Sequence, residues 1–266
     1  PGTPLGSIIA SIHAPATIIS KFLNDLLAPI YLKVAHEMTF INAIDVIQKL
    51  EKYVLDDHFQ ATTKFIVIDV TDLYTMIPCE GALHALMRFL ENNSHHGKIG
   101  KLSIDAIMRM ARLILDTNYF AYDNKYYRQF RGGAMGSAFT QVVANIYMHE
   151  WEQDLIQYQA ADNGIYGRYI DDIFMATHQN MVAIKIELGR AAEKDINIKI
   201  NYQIDTCVDF LDVTLLNING YLKTTLYHKT TAEPYILPYT SDHPRHAHRN
   251  IPFAALLRAA RLCSDV

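Results

Sequence analysis

GIYGRYIDDIFMAT (164–177) is the stretch on which the fold turns. Two arms rich in β-branched and aromatic residues meet at the adjacent acids Asp171 and Asp172, which predicts two strands joined by a tight turn. Carboxylates held together at a strand junction repel each other unless something positive neutralises them. A divalent metal ion is the natural candidate, because hard cations take carboxylate oxygens as ligands. The competing account is a solvated turn, since Asp is a favoured turn residue. A second acid shifts the balance toward metal. FIVIDV (65–70) is a short apolar, β-branched run of the kind found in a buried strand, and it carries Asp69 near its end. Neighbouring antiparallel strands would bring Asp69, Asp171 and Asp172 within reach of two cations roughly 3.5–4 Å apart, as two-metal phosphoryl transfer requires. A cap or turn acid is the plainer account of Asp69.

Composition narrows the field. With 266 residues, half of them apolar, the chain can bury one substantial core with a smaller appended lobe. No run of 18 or more uncharged apolar residues is present, so no membrane span is expected. The chain begins at Pro1 with no leader pattern, which reads as an internal fragment. Cys79, Cys207 and Cys263 are odd in number and widely spaced; they read as free thiols in a reducing, intracellular compartment, neither a disulfide framework nor a zinc knuckle. The net charge of -4 argues against a generic nucleic-acid coat. Its distribution is more telling. From Leu222 onward Lys223, Lys229, Arg245, Arg249, Arg258 and Arg261 outnumber Glu233, Asp242 and Asp265, giving +3 and leaving -7 on the preceding part. An acidic body with a basic tail suits a carboxylate–metal centre beside a phosphate-holding lobe.

Residues 1–16 are rich in Pro, Gly and small side chains and read as a loop with one short strand. Residues 17–55 read as mostly helical, as do 80–92 and 103–117, the last with Ser103 as its cap. NYFAYDNKYYRQF (118–130) alternates about Asp123-Asn124, a hairpin signal. Gly132 to Ser137 then open a helix whose inner stripe is Phe139, Val142, Val143, Ile146 and Tyr147. A helix near 181–194, a strand at 197–203 and a hairpin over 210–230 turning at Asn219-Gly220 follow; the tail is helical by its end. The class is α+β, an antiparallel sheet backed by helices.

The ordered segments resemble reverse transcriptases, most closely those of Penelope-like retroelements, a group related to telomerase. IDVTDLYTMIP (68–78) resembles the first palm motif; TNYFAYDNKYYRQFRGGAMGSAFTQVVANIYM (117–148) resembles the hairpin-plus-helix segment under template and incoming nucleotide. RYIDDIF (168–174) matches the catalytic hairpin, INIKINYQI (196–204) the next strand motif, and FLDVTLLNINGYLKTTLYHKTT (210–231) the primer-grip hairpin. YILPYTSDHPRHAHRNIPFAALLRAARLCSD (235–265) resembles the start of the family's thumb. The likeness implies a right-hand polymerase. Residues 1–64 would be partial fingers and their connection to the palm, 65–231 the palm with a fingers or hairpin insertion near 80–130, and 232–266 the start of a helical thumb.

What the resemblance implies residue by residue is an RNA-directed DNA polymerase using two Mg²⁺ ions, or Mn²⁺, with Asp69, Asp171 and Asp172 as ligands. Its partners would be an RNA template, a DNA primer and deoxynucleoside triphosphates, in the nucleus. Tyr74 would be the gate that clashes with a 2′-hydroxyl, against a half-buried packing tyrosine. Gly133, Met135, Gly136 and Ser137 would form the platform under the templating base pair, with Tyr169 near it; a helix-opening turn also uses glycine. Gln129 and Arg131 would touch template phosphates. Lys199 falls where the family places a lysine near the leaving pyrophosphate, against a strand-edge lysine. Lys229, Arg245 and Arg249 would hold primer phosphates. For His243, His246 and His248, thumb contacts or structural hydrogen bonds outweigh a zinc cluster.

The departures matter too. Gly6 stands where the family has an arginine that braces the incoming triphosphate, a contact worth about 1.5–3 kcal/mol. Ala138 replaces a usual proline, and Thr140-Gln141 a Ser-Pro pair. A polymerase fold that has lost catalysis and been kept for nucleic-acid binding is therefore the second hypothesis.

Overall fold

Hydrophobic spacing and caps account for the helices seen in a computed structural model, which describes residues 16–134, 136–228, 237–238 and 240–264, the side chains of Ala121 and Tyr122 excepted. In α1 (Thr17–Ala35), Leu23, Leu27, Tyr31 and Ala35 recur on one buried side. The stretch expected to be mostly helical, 17–55, holds two helices with a break between them. A 3-10 turn, His36–Met38, precedes α2 (Ala43–Leu55). Local chemistry explains the break. Asn42 Oδ1 accepts the amides of Ile44 and Asp45, and Asp45 Oδ2 accepts that of Ile41, so the second helix starts on its own reciprocal cap.

Next come β1 (Lys64–Thr71), the single turn α3 (Leu73–Met76), α4 (Cys79–Asn93), a small hairpin β2 (Lys98–Ile99) and β3 (Leu102–Ser103), and α5 (Ile104–Asp116). Ser103 caps α5, its Oγ accepting the Ala106 amide, as expected. Strands β4 (Tyr119–Tyr122) and β5 (Lys125–Arg128) pair about Asp123 and Asn124. They lead to α6 (Ala138–Trp151) and α7 (Gln153–Ala161), then β6 (Ile165–Tyr169) and β7 (Asp172–Thr177). The chain closes with α8 (Met181–Lys194), β8 (Lys199–Asp205), β9 (Cys207–Phe210), β10 (Val213–Ile218), β11 (Tyr221–Leu226) and α9 (Arg245–Leu262). The strand expected from 197 starts at Lys199, because Asp195 gathers the Asn197 and Ile198 amides into a turn. The expected hairpin over 210–230 is a meander of three strands, ordered β11-β10-β9.

Two compact units divide the described residues. One holds those up to Glu37, Val70–Leu155 and Ile186–Ile200. Within it α6 packs on α1 and α4, and α5 packs on the same two helices. Phe139, Val142, Val143 and Ile146 are buried as expected; Tyr147 is not part of that stripe, but donates its hydroxyl to Asp195.

The second unit holds Met38–Asp69, Ile156–Lys185 and the described residues from Asn201. The four-stranded sheet runs β6-β7-β1-β8, with β7 antiparallel to both β6 and β1. A core of aromatic and aliphatic side chains joins α2, β1, β6, β7, β9 and β10; Phe65, Phe174 and Phe210 are fully buried in it. Phe174 lies 5.8 Å from Phe65 and 5.4 Å from Phe210, ring centre to ring centre. Helix α9 rests on β11 and α2.

Candidate active site

Strand register assembles the acids. In β1 and β7, Phe65 faces Ala176, Val67 faces Phe174, and Asp69 faces Asp172. Directly opposed antiparallel residues share a face. One face of the sheet is therefore an apolar stripe that ends in a pair of carboxylates. On the other edge of β7, Asp172 pairs with Tyr169, so one residue has an acid on one side and an aromatic ring on the other. Asp171 sits in the two-residue turn with Ile170.

That turn is strained. Ile170 has φ +55°, a left-handed conformation that a β-branched side chain rarely adopts. Such a residue costs on the order of 1–3 kcal/mol and persists where surrounding contacts over-determine it. Two contacts do so here. Arg168, 3% exposed, donates from Nη1 to the Ile170 carbonyl at 2.6 Å. Its own carbonyl accepts the Phe40 amide at 2.9 Å. Gly167, next along, lies against Phe40: a Cβ there would come within 2.2 Å of the ring. The hairpin is clamped between a buried guanidinium and a buried phenyl ring.

Electrostatics bear on the same tip. Burial pushes the Asp171 carboxyl above its ordinary range, the charge of Asp69 adds to this, and the turn's own amide and Arg168 pull it back. Oxygen-only donors that disfavour one another's ionisation suit a hard divalent cation. Among the described residues no group of three or more His, Cys, Asp or Glu side chains could hold a metal ion. Beside Asp172 and Tyr169 opens a cavity of about 700 Å³, also lined by Gln203, Phe210, Asp212 and Tyr227.

The remaining residues singled out in the sequence stand on other elements. Tyr74, on α3, meets the glycine loop: its carbonyl accepts the Gly133 amide at 2.9 Å. A Cβ on Gly132 (φ +64°) would come within 2.0 Å of that oxygen, and one on Gly133 within 2.3 Å of Thr140 Oγ1, so only glycine permits the approach. Gln129 braces this loop, accepting from Asn118 and donating to the Gly133 carbonyl. Arg131 donates to Asn197. Ser137 shares a hydrogen bond of 2.9 Å with Ser20, and Gly136 sits at φ +86°. Lys199 is exposed at the start of β8. Arg245 and Arg249 are exposed on the first turns of α9. His243 Nδ1 lies 2.5 Å from Ser241 Oγ, and His248 Nε2 lies 3.3 Å from the Ser241 carbonyl, structural bonds as anticipated. Met135, Lys229 and Gly6 fall outside the described residues.

Arg168 and Phe40 carry no role in the sequence reading. The signal for Arg168 is a charge that follows the buried strand residues Ile165, Tyr166 and Gly167; nothing local marks Phe40.

Solved structures give the arrangement its context. Apo telomerase from Candida tropicalis, truncated from its C-terminal domain, matches with a TM-score of 0.58 at 11% identity, over 80% of this chain and 46% of that one. Telomerase from Candida tropicalis in complex with a fragment of telomeric RNA matches with 0.59 at 10% identity, over 93% and 42%. The BmCPV RNA-dependent RNA polymerase at elongation state matches with 0.51 at 10% identity, over 78% and 20%. The fold is that of a nucleic-acid polymerase. This polymerase-like chain spans less than half the length of the telomerases it matches. Residues 235–266 match the animal helix-turn-helix domain model. No curated protein matches in sequence. Among the described residues no helix is long and apolar enough to cross a membrane.

Proposed function

We propose that this chain is the catalytic part of an RNA-directed DNA polymerase of the Penelope-like retroelement kind, a nucleotidyltransferase that extends a primer 3′-hydroxyl on an RNA template. The observation that carries the reading is the Asp69–Asp172 register pair with Asp171 in the adjoining strained turn. In this reading 65–231 form the palm, 1–64 belong to the fingers, and 232–266 start the thumb.

Asp69, Asp171 and Asp172 would hold Mg²⁺, or Mn²⁺, which when bound supplies charge stabilisation for the attacking hydroxyl and the leaving pyrophosphate. The protein's own residues position. Arg168 fixes the turn that carries Asp171, and the Asp69 and Asp172 backbones are fixed by the ladder. Tyr74, anchored on the Gly132-Gly133 loop, excludes a ribose 2′-hydroxyl from the incoming deoxynucleoside triphosphate. Gly136, Ser137 and Met135 support the templating pair together with Tyr169, while Gln129 and Arg131 hold the loop beneath it. Lys199 donates a proton to pyrophosphate. Arg245 and Arg249 stand at the start of a helix, where cations oppose the macrodipole; a primer phosphate there, shared with Lys229, satisfies both. A reducing, nuclear compartment suits such an enzyme.

That no group of three or more such side chains among the described residues could hold a metal ion favours a second reading, a polymerase fold kept for nucleic-acid binding. Primer extension with Mg²⁺ on an RNA template separates the two. The wild type should extend the primer, and Asp171→Ala should lower the rate by about a thousand-fold or more. Extension unchanged in the variant refutes the metal assignment, and no extension by a wild type that still binds template favours the second reading.

A further inference from the structure

The β4–β5 hairpin forms a two-stranded sheet of its own, and two strands are marginal in water without something to pack on. Several aromatic rings along this segment are nonetheless open. Tyr126 is 85% exposed, Phe130 80% and Tyr119 56%. Tyr119 pairs directly with Arg128, so Tyr119, Tyr126 and Arg128 share one face. Phe130 continues that line, with the Arg128 guanidinium 6.0 Å from its ring centre. On the other face Phe120 and Tyr127 stack on each other at 5.5 Å, which anchors the strands and frees the first face for a ligand.

Charge follows the rings. Residues 118–131 contain Lys125, Arg128 and Arg131 against Asp123 alone, a local excess of positive charge in a part of the chain that nets -7. Arg128 is held by Asp116 at 3.0 Å, which fixes its plane without burying it. Side chains two apart on a strand lie about 6.8 Å apart, twice the spacing of about 3.4 Å between stacked bases. Tyr126 and Arg128, two apart on β5, are thus spaced for one base between them, and Phe130, just past the strand, lies against Arg128. A duplex, whose bases are already stacked and paired, cannot enter such a gap; an unpaired strand can.

We propose that the Tyr119–Tyr126–Arg128–Phe130 face is a stacking platform for unpaired bases of a single-stranded nucleic acid, with Lys125 beside its phosphates. The polymerase reading explains only why such a strand would be present; the platform does not depend on catalysis.

Fluorescence anisotropy with a labelled oligoadenylate about 12 nucleotides long, against a duplex of the same length, tests this. Tyr126→Ala and Phe130→Ala should each weaken single-strand binding about ten-fold, with duplex binding changed less than about two-fold. Tyr126→Phe should keep wild-type affinity, and melting temperatures should not move, since both rings lie in solvent. Wild-type affinity in the alanine variants overturns the proposal. So does an equal loss for strand and duplex, or a face that captures protein and no nucleic acid. A wild type that binds oligoadenylate but fails to extend a primer leaves the platform standing.

Discussion

The β4–β5 and β6–β7 hairpins both turn through two residues, yet they reach that geometry by opposite means. The first places Asp123 at φ +50° and Asn124 at φ +57°, residue types that tolerate left-handed backbone, and its sheet needs no third strand. The second places a β-branched isoleucine at φ +55° and is held by a buried arginine, an aromatic ring and a strand on its far side. Turn chemistry suffices where a hairpin only has to present side chains to solvent. Tertiary contacts take over in the turn that carries Asp171 next to the Asp69–Asp172 pair.

The largest expected effect is at the clamp. Arg168→Met removes a buried charge-assisted hydrogen bond to the Ile170 carbonyl and should lower unfolding free energy by about 3 kcal/mol. Guanidinium titration measures it. A loss within about 0.5 kcal/mol, the size of an ordinary surface substitution, would mean the turn holds itself and the contrast between the hairpins is false.

The two turns should next respond with opposite sign to exchanged chemistry. Ile170→Asn puts a residue tolerant of left-handed backbone where a β-branched one stands and should stabilise by about 1 kcal/mol. Asn124→Val does the reverse in the relaxed hairpin and should destabilise by about 1 kcal/mol. Thermal melts of both variants compare them directly; the same sign in both would break the comparison.

Much of this was legible in the sequence because the signals were local. Asp123-Asn124 and Asn219-Gly220 announce their turns, Ser103 its cap, and the alternating arms about Asp171-Asp172 their strands. The convergence of Asp69 on Asp172 was legible too, since buried strands leave few registers. Other features carry weaker local signals or depend on partners distant in sequence. The split at 36–42 depends on Asn42 and Asp45 capping each other's turn, a short-range pattern that the apolar period outweighs to the eye. Gln153–Ala161 was missed because its polar face leaves little helical stripe to read. The clamp on Ile170 needs Arg168 and Phe40, more than a hundred residues apart, and nothing in the neighbourhood of Phe40 shows its role. The likeness to polymerases rests on this topology, at 10–11% identity, which is why motifs and fold carry it and overall sequence does not.

The smallest effect concerns charge at the tip. Burial, and secondarily Asp69, raise the Asp171 pKa above its ordinary 3.8, so the folded protein holds this proton more tightly than the unfolded chain does. The stability linked to the group is therefore whole below the ordinary carboxylate range and is lost as pH rises through the raised pKa. Asp171→Asn removes the ionisation while keeping the shape. With divalent cations chelated, the variant should melt above the wild type at pH 7, and the gap should close as pH falls below the ordinary carboxylate value. A gap that does not vary with pH would assign the difference to packing and leave Asp171 without an electrostatic penalty. Saturating Mg²⁺ should then raise the wild type more than the variant, because the variant keeps the Asp69–Asp172 pair but has lost the third carboxylate.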